Sequence, residues 1–114
     1  MRNRNNHSVT FKKKLNKSGK IFRAYNELQL RYGELLDLND DVVEIKFNVL
    51  LKDFELGDSY TTDFLCCKKS GEMMVRECVL KKNLLKPSVV KMLDASHRYW
   101  LSRGIKDYGI VIGE

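Results

Sequence analysis

With 114 residues, 43% hydrophobic and 32% charged, the chain has room for one domain around one core, and its balance excludes global disorder. No apolar run is long enough to span a bilayer, and the arginines before His7 lead into no hydrophobic segment. Neither a membrane protein nor a secretory leader is expected, and the expected compartment is the cytoplasm.

The net charge of +6 is concentrated at one end. Met1 to Arg23 holds Arg2, Arg4, Lys12, Lys13, Lys14, Lys17, Lys20 and Arg23 with no acidic residue, and the rest of the chain is slightly acidic. A basic segment of this kind is the electrostatic footprint of phosphate contacts, so these eight residues are the candidate nucleic-acid-binding set. The plainer alternative is a solvated terminus that only keeps the protein soluble. Residues 1–20 read as a basic arm, with a frayed strand around Val9–Leu15, and residues 21–114 read as the domain.

From Arg23 to Leu36 the residues Tyr25, Leu28, Tyr32, Leu35 and Leu36 recur at helical spacing, and Asp37–Asp41 makes the turn that stops the helix. Val42–Leu51 is β-branched and reads as a strand. Tyr60–Cys67 and Met73–Leu80 read as two more, joined through Lys68–Glu72, so the three form an antiparallel meander. Pro87 opens a second helix that carries Val89, Met92, Leu93, Ser96, Tyr99 and Trp100, with Gly104 as its cap. Ile105–Ile112 closes the chain as a final strand. The expected fold is α/β: a small mixed sheet, the meander plus a last strand, flanked by two helices. Cys66, Cys67 and Cys78 lack paired metal-ligand spacing and read as small hydrophobes.

Three carboxylates fall at suggestive places: Glu27 on the first helix, Asp63 in the second strand and Glu77 in the third. Carboxylates from neighbouring strands and a packed helix are the ligands that Mg²⁺ or Mn²⁺ takes in phosphoryl chemistry, where the ion polarises the phosphate and activates water. Each also has a bland reading, Glu27 as an i,i+4 partner of Arg31, Asp63 as a turn cap and Glu77 as a solvated strand residue. His7 and His97 belong to no nucleophile motif. Tyr99 and Trp100 read as core anchors.

Tyr25-Asn26-Glu27, Leu35–Ile45, Tyr60-Thr61-Thr62-Asp63-Phe64-Leu65, Arg98-Tyr99-Trp100 and Arg103-Gly104-Ile105 together resemble, in order and spacing, the TnsA family of transposition endonucleases. The resemblance runs over roughly residues 20–112. It implies the PD-(D/E)xK restriction-endonuclease-like core, with Glu27, Asp63 and Glu77 as catalytic and metal-binding residues for Mg²⁺ or Mn²⁺. It also implies DNA as substrate and a transposase-type protein as partner, which members engage through a further C-terminal domain.

The third motif departs from the family pattern of acid, any residue, lysine. Val75-Arg76-Glu77-Cys78-Val79 puts Val79 at the lysine position, or Arg76 and Cys78 at the acid and lysine positions in the other register. Lys81 lies on the face of Glu77 but about 13 Å along an extended strand, and is the candidate substitute. Two functions stay open. One is a metal-dependent DNA endonuclease or nicking subunit of a mobile element. The other is a catalytically inactive nuclease-fold module or regulator that binds DNA or protein, a mobile-element-encoded inhibitor of a defence system among them. A homodimer is compatible with either.

Overall fold

The computed structural model describes residues 11–114. Its elements are β1 (Phe11–Lys14), β2 (Ile21–Ala24), α1 (Glu27–Leu38), β3 (Val42–Leu50), β4 (Thr61–Lys68), β5 (Met73–Leu80), a 3₁₀ turn (Lys81–Asn83), α2 (Pro87–Leu101) and β6 (Asp107–Gly113). The fold is α/β, and helix, three strands, helix, strand follow in the expected order. β1 and β2 pair as a separate antiparallel ribbon. The main sheet runs β3-β4-β5-β6, antiparallel through the meander and parallel between β5 and β6. Among the described residues no helix is long and apolar enough to cross a membrane.

The first helix starts later than its apolar spacing predicts because Arg23 and Ala24 belong to β2. Asn26 caps α1, its side chain accepting from the Gln29 N–H at 2.9 Å, and Glu27 sits in the first turn where the helix dipole favours an anion. The buried line of α1 is Gln29, Gly33 and Leu36, while Leu35 is 63% exposed. Gly33 is set by packing: a Cβ there would stand 2.6 Å from Cε2 of the wholly buried Phe22. The helix gives up about 1 kcal/mol of propensity at Gly33 and gains close contact with the ribbon.

Alternation along β5 shows which face each helix covers. Met74 and Cys78 pack with Leu36, Phe22 and Phe64 on the α1 side. Val75 packs with Met92, Ala95 and Trp100, and Val79 with Val89 and Leu93, on the α2 side. The β3 strand changes sides along its length, since Ile45 and Phe47 pack in the first cluster but Val49 in the second. The switch falls at Asn48, whose φ of 49° lies in the left-handed region that Asn tolerates better than most residues. Buried Gln29 braces this point. Its side chain accepts from the Tyr25 N–H and donates to Asn48, and Asn48 in turn donates to the Arg23 carbonyl.

One polar staple ties β6 to its neighbours. Asp107 accepts from Lys68 at 2.5 Å and from Arg76 at 2.8 Å, and these cations, Lys68 foremost, hold its carboxyl below the ordinary carboxylate range. A carboxyl lowered on folding adds stability above its ordinary pKa and loses it as pH falls through the lowered one. Asp107→Asn is therefore expected to cost about 1 kcal/mol near neutrality. In urea melts the gap to wild type should hold down to about pH 5 and narrow below about pH 4. A gap independent of pH would refute the assignment.

Candidate functional site

The β4–β5 ladder pairs Cys67 with Met73 through to Phe64 with Arg76 and goes no further, although β5 continues alongside β6 to Leu80 and β4 alongside β3 to Thr61. The sheet is thus forked between its two central strands. Backbone N–H groups exposed in such a fork need acceptors. Two carboxylates supply them: the Asp63 N–H donates to Glu77 Oε1 at 3.0 Å, and the Cys78 N–H donates to Asp63 Oδ2 at 2.7 Å. Both acids are wholly buried.

The second oxygen of Glu77 is a hub. Oε2 accepts from the hydroxyls of Tyr60 at 3.0 Å, Thr62 at 3.0 Å and Ser96 at 2.9 Å. Thr62 is itself held by the Trp100 indole N–H, which donates to its hydroxyl at 2.8 Å. Every one of these groups is buried. Glu77 therefore gathers β4, β5 and α2 into one network, and this use of both oxygens is a satisfied buried carboxylate.

Of the other predicted site residues, Asp63 meets the hub through its backbone N–H, and Glu27 and Lys81 stand apart from it. Asp63 acts from the α1 side, where its charge adds to burial in raising the Tyr25 phenol. Glu27 lies at the exposed start of α1 and pairs with Arg31. Lys81 is exposed in the 3₁₀ turn after β5. On the third strand, Glu77 and Val79 face α2, where Val79 is 4% exposed in the apolar cluster, and Arg76 and Cys78 face the opposite side, where the Arg76 charge partly offsets the rise that burial gives the Tyr32 phenol. Among the described residues no three His, Cys, Asp or Glu side chains are grouped as a metal site. A hard divalent cation needs several convergent oxygens and keeps waters. Glu77, closed in by four donors on the α2 side, does not offer that, so these residues as arranged do not fit Mg²⁺ or Mn²⁺. Burial pushes the Cys66 thiol up to about 12, which keeps it a neutral hydrophobe.

The basic segment is more differentiated than its composition. Arg2 and Arg4 lie outside the described residues. Lys12 pairs across the ribbon with Arg23, and Lys14 with Ile21, so Lys12, Lys14 and Arg23 share the outer, exposed face, while Phe11, Phe22 and Ala24 turn inward. Lys13 is committed to Glu34 at 2.5 Å and Lys17 to the Asn39 carbonyl at 2.6 Å. Lys20 is exposed where the ribbon turns. Leu15, between these lysines, is wholly buried, so the second half of the segment read as an arm is part of the packed fold.

In comparison with known proteins, no family profile matches the chain and no curated protein matches it. Sequence reasoning missed Tyr60, Thr62 and Ser96 as partners of Glu77. Their signal was present: Ser96 occupies an inward position on the apolar stripe of α2, and a buried hydroxyl demands a partner.

Proposed function

We propose that this protein is a catalytically silent, TnsA-like nuclease-fold module that binds DNA through its basic ribbon and the segment preceding it. What carries the reading is Glu77, both of whose oxygens serve backbone and hydroxyl donors inside the fold. The residue two further along the strand, where the family has its lysine, is the buried Val79. Among the described residues such a site lacks both a group of three metal-ligating side chains and, at the family's lysine position, the cation that would activate water or stabilise phosphoryl charge. What remains suited to nucleic acid is the row of exposed cations, Lys12, Lys14, Lys20 and Arg23, which contact phosphate without base chemistry.

The endonuclease reading keeps one supporting observation, since Asp63 and Glu77 flank the same fork in the sheet. One experiment separates the two. The full chain is incubated with supercoiled plasmid in Mg²⁺ or Mn²⁺, and DNA retention is measured in parallel between 50 and 200 mM salt, where phosphate-driven binding falls steeply. Retention that weakens with salt while the plasmid stays supercoiled is expected. Nicking that Asp63→Asn abolishes would overturn the silent assignment, and absence of retention at low salt would overturn DNA binding.

A further inference from the structure

The main sheet has two edges, and they are treated differently. At β3 the outer edge is blunted. The Ile45 N–H is taken by the Lys17 carbonyl at 3.0 Å, the strand carries Glu44 and Lys46, its register slips between Val42 and Glu44, and Asn48 bends it. These are the devices by which natural sheets avoid edge-to-edge pairing. At β6 the Tyr108 N–H is taken by the Lys106 carbonyl at 3.0 Å, and beyond it the edge has none of them. From Tyr108 to Gly113 it reads YGIVIG, without charge or proline, and among the described residues no strand or loop pairs with its outer side.

The side chains of β6 are equally open. On the α2 face Tyr108 stacks beneath His97 with ring centroids 4.6 Å apart, but Ile110 and Ile112 beyond it are 42% and 54% exposed. Val90, on the same side of α2 one turn before Leu93, whose carbonyl accepts from the Tyr108 hydroxyl, is 48% exposed as well. The far face is closed from within, since the space over Gly109 is filled by Arg76 and that over Gly113 by Leu28.

We propose that β6 is a homodimerisation strand, two copies pairing β6 to β6 antiparallel about a two-fold axis through Ile110. The occupant is argued from the strand's own sequence. With Ile110 opposite Ile110 of the second copy, Tyr108 meets Ile112 and Lys106 meets Glu114, each pair occurring twice. Tyr108, Ile110 and Ile112 share one face by strand alternation, and Lys106 and Glu114 flank the strand at its two ends. Apolar residues thus fall against apolar ones at the centre, and the exposed cation at one end of the strand falls against the exposed anion at the other. A two-fold contact must be self-complementary in this way, whereas an unrelated partner strand would draw nothing from the match. The product is a continuous eight-stranded sheet in which β3 is the edge on both sides.

The test is sedimentation equilibrium on the full chain. A concentration-dependent dimer is expected. Ile110→Lys, at a half-exposed position, should leave the circular dichroism unchanged and abolish the dimer, because the axis sets two lysines together. Lys106→Glu and Glu114→Lys should each weaken the dimer roughly tenfold, since like charges across a strand pair repel. Combining the two reverses both charges at every contact and should restore wild-type association. A monomer at every concentration, a dimer indifferent to Ile110→Lys, or a double reversal that fails to rescue would each overturn the proposal. Deleting residues 1–10 should change nothing. If that deletion creates the dimer, the chain's own leading segment is what covers β6, and the proposal falls.

Discussion

Glu77→Ala is expected to lower the unfolding free energy by about 3–5 kcal/mol, a cost in the range for removing one member of a buried ionic network. The truncation leaves the Tyr60, Thr62 and Ser96 hydroxyls and the Asp63 N–H without their acceptor, in a place with no exposure to water. Each stranded donor costs about 1–3 kcal/mol before the hydroxyls find new partners. Glu77→Gln keeps the shape and one acceptor oxygen, so about 1–2 kcal/mol is expected for it. Denaturant melts followed by the fluorescence of Trp100, the sole tryptophan and a member of the network, read both changes at the site itself. The sign separates two roles for the residue. An acid kept for a metal among other acids is repelled by them in the free protein, so its removal relieves strain and raises stability. A more stable Glu77→Ala would refute the structural assignment.

What could be read beforehand follows from how each element declares itself. The three meander strands were legible from their β-branched and apolar runs, and α2 because its apolar residues keep a single period: Val89, Met92, Leu93 and Trp100 all reach the core they were assigned to. On α1 the expected spacing holds for Leu28, Tyr32 and Leu36, which pack in the first cluster, and fails at Leu35. The buried line of the helix runs through Gln29 and Gly33, one polar and one lacking a side chain, so hydrophobic spacing pointed to Leu35, which is exposed. Of the ribbon, the first strand overlaps the one expected around Val9–Leu15, but its pairing with β2 was hidden, since β1 has one apolar residue in four and depends on Leu15 and β2 for its place. At the candidate site the sequence located Asp63 and Glu77 on adjacent strands, but alternation by itself left two registers for the third motif. The Asn48 switch and the fork after Phe64 are tertiary events with no local signal, and they decide which carboxylate faces which helix.

Neutralising the outer face of the ribbon, Lys12→Ala with Lys14→Ala and Arg23→Ala, is expected to weaken DNA binding roughly 10²- to 10³-fold near 0.1 M salt and to reduce the salt slope by about 3. The magnitude comes from counterion release, in which each phosphate contact is worth about one decade at that ionic strength. The three side chains point outward from the ribbon and sit on exposed positions, so the fold should tolerate their removal and the loss should be confined to affinity. Lys13→Ala is the internal comparison. It removes the same formal charge from the same strand, but the Lys13 ammonium is already held by Glu34 on α1. A cation engaged inside the fold neutralises less phosphate, so Lys13→Ala should shift affinity far less than Lys12→Ala, with a slope change well under one. Retention of a labelled duplex on filters across a salt series gives both quantities from the same data. Equal losses from Lys12→Ala and Lys13→Ala would mean that net charge alone attracts the DNA, and the outer face of the ribbon would no longer be the contact.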